Sequence, residues 1–346
     1  MENQNHNLAT IEVIKDIQPI EGADRIECAF ILGYKSVVSK GLHKINDKII
    51  FIKPDSLVPR RSWSIFLFPK DDQNFDGPPI RIITRRFKKC VSQGLVLSLD
   101  ILFENVKEPE FLEIGYCLDS FLDIEKYEKP VPAELAGTVK GHFPSFLKKT
   151  DELNLRSYPD AFNELKGRDI VIAIKEDGSS ATFYYKDGVF GVCSRNLDLK
   201  ETEGNAFWKI ARSLDLENKL KQFGFNVALQ GELFGPGING NKMGAKEIGL
   251  KIFNVFKIDT REYFCDYAAR DLIMSWHLPM VDIIYQGPSL DRLEDLYILA
   301  NNSRYSNNEW AEGIVVRPVR EVYSEVLDGR LSVKVINENF ALKYKE

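Results

Sequence analysis

The chain has 346 residues, enough for two domains, with 44% hydrophobic and 28% charged residues, an ordinary globular composition. Its 46 basic and 51 acidic residues leave a net charge of −5, which excludes a global polycation, so any contact with nucleic acid must come from local patches. The five cysteines (Cys28, Cys90, Cys117, Cys193, Cys265) form no CxxC pair, which excludes an obvious zinc site or disulfide framework and favours a reducing compartment.

The first residues, MENQNHNLATIEVIK, lack a basic-then-apolar signal pattern, and no apolar run approaches membrane-spanning length. These features predict a soluble intracellular protein, cytoplasmic or nuclear. Residues 1–128 follow as short strand-like runs broken by Pro and Gly: TIEVIKDIQPI, CAFILGYKSVVSKG, DKIIFIKPDSLVP and PPIRIITRRFKKCVSQGLVLSL. Such spacing without a long helical pattern predicts a small β-barrel. Residues 129–143, KPVPAELAGTVKGHF, with two prolines and two glycines, read as a linker.

From residue 144 to 346 the texture changes. Strand-like runs (IVIAI, ATFYY, VFGVC, NVALQGELF, LKIFNVFKI, GIVVRP, LSVKVI) alternate with three helical candidates, NAFWKIARSLDLENKLKQF, REYFCDYAARDLIMSW and SLDRLEDLYILANN. The pattern predicts an α+β domain on largely antiparallel sheet.

Lys175 stands where the apolar run Val171–Ile174 ends, followed by the turn dipeptide Asp177-Gly178 and a second strand, as if at the mouth of a hairpin. It has two readings, a solvent-facing turn lysine or a nucleophile. A lysine amine, with a pKa of about 10.4, becomes nucleophilic at neutral pH when nearby cations and desolvation favour its neutral form. The second reading therefore demands companions, and they follow in order. Arg195 in CSRN suits a ribose or phosphate, and Glu232 ends an apolar strand ahead of glycine-rich chain. Phe253 and Phe256 are either core residues or a ring for a base. Glu312 precedes the strand GIVVRP, and Lys334 lies among apolar neighbours. Two carboxylates, a ring and cations around a lysine describe a nucleotide site with a divalent metal.

This ordered set resembles the covalent nucleotidyltransferase superfamily of DNA ligases, RNA ligases and mRNA capping enzymes. KEDG, SRN, FNVFKI, EGIVVR and SVKVIN match its motifs in order over residues 175–337. DNA ligases and capping enzymes carry an OB barrel after the last motif; here nine residues follow Asn337 and the β-module comes first. With GADRIECAFILGYKSVVSKG, ITRRFKKCVSQGLVLSL and FPSFLKKTDE, the chain looks like the fifth family of ATP-dependent RNA ligases, an N-terminal OB domain joined to an adenylyltransferase domain.

The resemblance implies roles. Lys175 would attack the α-phosphate of ATP to give lysyl-AMP, with Glu312 and Lys334 completing the catalytic set. Arg195 and Glu232 would contact ribose, and Phe256 would stack on adenine. The backbone of Ile174 and the segment Leu147, Lys148 and Lys149 would read the adenine edge, with Asp177-Gly178 close to the nucleotide. Asp177, Glu232 and Glu312 would hold Mg2+ or Mn2+, directly or through water. AMP would then pass to an RNA 5′-phosphate and a 3′-OH would seal the nick in a duplex. The implied partner is nicked RNA or an RNA-containing duplex, with no membrane and no obligate protein partner, and the protein would be a monomer. Many relatives carry K-x-K in the last motif, whereas here Lys334 is flanked by Ser332 and Ile336, leaving Arg330 or Lys343 as replacements.

The segment RIITRRFKK carries Arg81, Arg85, Arg86, Lys88 and Lys89 with no acid. It reads equally as an RNA-binding surface and as a charge-protected hairpin edge. Two other functions compete with the ligase: a capping-type guanylyltransferase, and a non-catalytic OB protein with a decayed transferase domain. The intact Lys175, Glu312 and Lys334 weigh against decay.

Overall fold

The β-prone runs of the first third fold as short antiparallel strands. The computed structural model describes residues 7–71, 74–102, 112–127 and 139–345, and the chain divides into two compact units, Met1–Pro130 with Glu338–Glu346, and Val131–Asn337. In the first unit Lys48–Ile52 (KIIFI) lies between Ala9–Val13 and Leu95–Leu97. Its continuous apolar run has both faces covered, which is why it does not alternate with polar residues. Ile50 and Ile52 enter a core with Ile11 and Leu97, while Ile49 and Phe51 enter a second with Ile31 and Tyr34. Burying each such side chain is worth about 1.5–3 kcal/mol. Ile26–Ile31 pairs with Asp16–Pro19 and Tyr34–Ser39, and Ser56–Val58 with Glu125–Lys126 and Ile80–Arg81.

Among the described residues the second unit is built on two large sheets, beside a small pair of strands, Tyr323–Ser324 and Gly329–Arg330. Ser179–Lys186, Val189–Cys193, Val227–Phe234 and Gly249–Lys257 form the middle of a seven-stranded sheet. Asp169–Lys175 lies between Ile283–Pro288 and Gly313–Pro318 in a five-stranded sheet that continues to Val333–Ile336. Helices Ala206–Ser213, Leu216–Lys221 and Asp266–Ser275 pack on the larger sheet through Trp208, Leu216, Leu220 and Ile273. Ala161–Leu165 and Leu293–Asn302 pack on the smaller one through Phe162, Leu165 and Leu296.

Three expectations need correction. Asp169–Lys175 and Ser179–Lys186 are not a hairpin: they belong to different sheets, and Asp177-Gly178 carries the chain from one to the other. The first helical candidate is two helices, separated at Asp215, which adopts the left-handed conformation (φ +52°) that a short polar side chain tolerates. Residues 129–138 of the expected linker lie outside the described residues, while Val139–His142 are an edge strand on Leu197–Leu199, with a register shift at Gly141. The helix Glu338–Tyr344 groups with the first compact unit.

Candidate active site

Lys175 ends its strand directly across from Gly313. A Cβ on Gly313 (φ +155°) would stand 2.1 Å from the Val335 carbonyl oxygen, so glycine lets the strands close up and brings Glu312 beside the lysine. Lys175 Nζ donates to Glu312 Oε2 at 2.7 Å, with both side chains largely buried. Burial alone favours the neutral amine, but the charges of Glu312 and Glu232 outweigh it and hold the ammonium form above its ordinary pKa. The surroundings are thus anionic rather than cationic, the reverse of what activation by neighbouring cations requires.

Glu232 lies near the end of Val227–Phe234, across from Ser180. Burial first, then the charges of Glu312, Asp177 and Glu176, push its carboxyl up to about 8 against the pull of Lys175. Gly178 is required for packing against that strand: a Cβ there would stand 2.2 Å from the Leu233 carbonyl oxygen. Asp177 is buried, and its Oδ1 accepts from Asn239 Nδ2 (2.8 Å) and Lys242 Nζ (3.1 Å). Among the described residues no three acidic, histidine or cysteine side chains form a group that could hold a metal directly.

Sequence reasoning missed the residue that ties these parts together. The buried hydroxyl of Tyr305 accepts from the backbone N–H of Asp177 (3.0 Å) and of Glu312 (3.1 Å) and donates to the carbonyl of Lys175 (3.3 Å). Asn337 N–H donates to the Glu312 carbonyl at 2.9 Å. Glu176 was also missed. It is buried on the other side of the strand end, where Lys251 Nζ donates to it at 2.6 Å and to Asp282 at 2.7 Å. No local pattern marks either role, because each depends on partners far along the chain.

The residues expected at the base and ribose are spread more widely. Phe256 is fully buried against Leu147, Tyr184 and Ala228, its ring 5.0 Å from that of Tyr263, so no face is open to a base. Phe253 is half-buried and lines a small pocket with Asn254, Arg317 and Arg330. Ile174 N–H is taken by the Asp282 carbonyl, and Leu147 is buried. The Lys148 carbonyl accepts from Gln230 Nε2 at 2.7 Å, and Lys149 Nζ donates to Asn196 Oδ1 at 2.9 Å. Arg195 pairs with Asp151 at 2.9 Å on a half-exposed turn. Lys334 pairs with Val315, which faces Ala173, one row of same-side residues from Lys175.

In the first unit Arg85–Phe87 pairs with Cys90–Ser92 around a turn at Lys88 (φ +53°) and Lys89. Arg85, Arg86, Phe87 and Lys88 are exposed, Lys89 pairs with Glu21 at 2.7 Å, and Arg81 is held by Asp55 at 2.9 Å with its guanidinium 4.0 Å from the Tyr127 ring. The segment is thus a hairpin, and four of its five cations project from it or its turn.

Two family models match the chain, an OB-fold domain over residues 8–99 and RNA ligase over residues 168–336. No curated protein matches at the sequence level. Among solved structures, Naegleria gruberi RNA ligase with PPi is 30% identical with a TM-score of 0.85, covering 98% of this chain and 99% of that one. A mutant of that ligase with ATP and Mn is 30% identical with a TM-score of 0.86, covering 96% and 98%; another with AMP and Mn is 30% identical with a TM-score of 0.84, covering 97% and 98%. An OB-fold domain ahead of a lysine-centred ligase domain, alike over nearly the whole length of both chains, makes this chain a member of the RNA ligase family.

Proposed function

We propose that this RNA ligase uses ATP and a divalent metal to seal 3′-OH and 5′-phosphate ends held in a duplex, through lysyl-AMP and RNA-adenylate. The observation that carries the reading is the Lys175–Glu312 pair at 2.7 Å with Glu232 and Asp177 gathered around it. Structures of the Naegleria gruberi enzyme with ATP, AMP and Mn support the same choice of nucleotide and metal.

Lys175 Nζ attacks the α-phosphorus, and the bond to the β-phosphate breaks with its electron pair on pyrophosphate. Glu312, hydrogen-bonded to Nζ, is placed to take the proton that the amine sheds before attack. Asp177, Glu232 and Glu312 are hard oxygen donors that suit Mg2+ or Mn2+ held through its waters. When bound, that ion neutralises charge on the phosphates and lowers the proton affinity of Lys175. Lys334, on the same sheet face, stabilises the charge that develops at the α-phosphate. Arg195 serves the ribose. With Phe256 sealed in the core, the half-buried Phe253 would offer its ring to a base. The exposed cations of the Arg85–Phe87 hairpin serve the RNA backbone.

Incubation with α-labelled ATP or GTP and Mg2+ or Mn2+ tests the reading. Label from ATP should stay on the denatured protein and vanish in Lys175→Ala. Label from GTP alone would make the protein a capping-type transferase, and none from either a binding protein. Nicked duplexes with ribonucleotides or deoxyribonucleotides on each side of the break then test the sealing step.

A further inference from the structure

The row of the smaller sheet that carries Lys175 runs through Gly313 to Ile336. Where the resemblance calls for a second lysine beyond Lys334, this row therefore ends in an apolar side chain. Arg330, one replacement suggested by the sequence, is engaged elsewhere. Arg330 donates to Asn254 Oδ1 at 3.1 Å with its guanidinium 4.1 Å from the Tyr263 ring. It shares that oxygen with Arg317, which lies opposite Val171, two rows from Lys175. Lys343 lies on Glu338–Tyr344, in the other compact unit.

A different cation lies at the site. Lys242 Nζ is 3.1 Å from Asp177 Oδ1, the oxygen that also accepts from Asn239, and its side chain is only 13% exposed. The loop that delivers it is tightly shaped: Asn239, Gly240 and Asn241 are all left-handed, with φ of +46°, +71° and +48°. Its far end is pinned by Asn307 Nδ2 on the Met243 carbonyl at 2.7 Å, and Met243 packs with Ile174 and Tyr305. Lys242 is thus presented by an ordered turn anchored to the strand of the nucleophile.

We propose that Lys242 is the second cation of the adenylylation step, pairing with Asp177 in the free protein and turning to the departing pyrophosphate when ATP is bound. The inference rests on the ATP reading above. In that step an N–P bond forms at Lys175, the P–O bond to the β-phosphate breaks, and its electron pair leaves on pyrophosphate. The proton passes from Nζ to Glu312. Negative charge therefore grows on the leaving group, in a cleft that already holds the carboxylates of Asp177 and Glu312. A compact ammonium on a flexible stem, seated a hydrogen bond away on Asp177, offsets that charge without rebuilding the site.

The test compares wild type, Lys242→Ala and Lys242→Arg in label transfer from α-labelled ATP, in sealing of pre-adenylylated RNA, which bypasses pyrophosphate release, and in pyrophosphate binding by calorimetry. Lys242→Ala should slow label transfer and weaken pyrophosphate binding by about tenfold or more, with any loss in pre-adenylylated sealing much smaller, and Lys242→Arg should restore most of both. Equal losses in label transfer and pre-adenylylated sealing would show that Lys242 only holds Asp177 and would overturn the proposal, as would unimpaired label transfer. Wild type that takes no label from ATP would instead overturn the ATP reading and this inference together.

Discussion

Lys175 and Glu312, 137 positions apart in the chain, meet at 2.7 Å, so the amine that must lose a proton to react is paired with the group that keeps it charged. In the free protein Glu312 and Glu232 hold the ammonium form well above its ordinary range, against burial, which favours the neutral amine. At fixed metal and saturating ATP, single-turnover label transfer should therefore rise with pH between about 6 and 9, close to tenfold per unit while deprotonation limits the rate. A flat profile would mean that proton loss from Lys175 is not limiting.

Glu232 gives stability a pH dependence of opposite sign to that of an ordinary salt-bridged carboxylate. Its carboxyl titrates at about 8 when folded against 4.5 for the unperturbed group. Between those values the folded protein keeps a proton that the unfolded chain has lost, so stability falls as pH rises across that window. Glu232→Gln should flatten this slope and raise stability at pH 8 by roughly 2 kcal/mol, read as a higher urea midpoint at unchanged m-value. The same variant should lose label transfer.

Divalent metal should drive the proton off Glu232. Titration of Mn2+ at pH 7 in two buffers of different ionisation enthalpy should report proton release for the wild type, and clearly less for Glu232→Gln. Identical release in both proteins would place the metal elsewhere.

Tyr305 joins Lys175, Asp177 and Glu312 through one hydroxyl. Tyr305→Phe leaves two buried N–H groups without their acceptor, at a cost of about 2–4 kcal/mol. Loss of fixed geometry between Lys175 and Glu312 should lower the rate constant of label transfer more than it raises the apparent KM for ATP. Chemical denaturation and single-turnover kinetics on the same preparation measure both.

In the first unit Arg85→Ala/Arg86→Ala removes two exposed hairpin cations. If they touch RNA phosphates, duplex binding weakens and the slope of log affinity against log salt becomes shallower by about 1–2. An unchanged slope would make the hairpin a charge-protected edge instead. Label transfer from ATP should be unaffected.

Much of this site was readable along the chain because its polar members stand where apolar runs end. Lys175 after Val171–Ile174, Glu312 before Ile314–Val316 and Lys334 within a buried strand were all marked by the change from apolar to charged. The OB-fold domain was readable from its short, turn-bounded runs and the longer helices from their periodicity, though left-handed Asp215 breaks one in two and the short Ala161–Leu165 and Glu338–Tyr344 carry too few turns to show it. What misled was local similarity. Asp177-Gly178 has the composition of a hairpin turn, yet Gly178 is needed because the Leu233 backbone passes beside it. Phe256 has the composition of a base platform, yet it is sealed under Tyr263 and Leu147.

Period and composition, properties of neighbours along the chain, were enough to mark the strands that carry Lys175, Glu232 and Lys334 and the one that Glu312 precedes. Which strands pair, and so which strand ends converge, is set by contacts between segments far apart in the chain. Asp169–Lys175 finds its partners more than 100 residues away, at Ile283–Pro288 and Gly313–Pro318. That choice is made by burying Ile170 and Ile172 against Leu296, Val316 and Val335, contacts that no local window contains. The same packing brings Tyr305 under the nucleophile and Lys242 onto Asp177, which is why neither could be read from the chain alone.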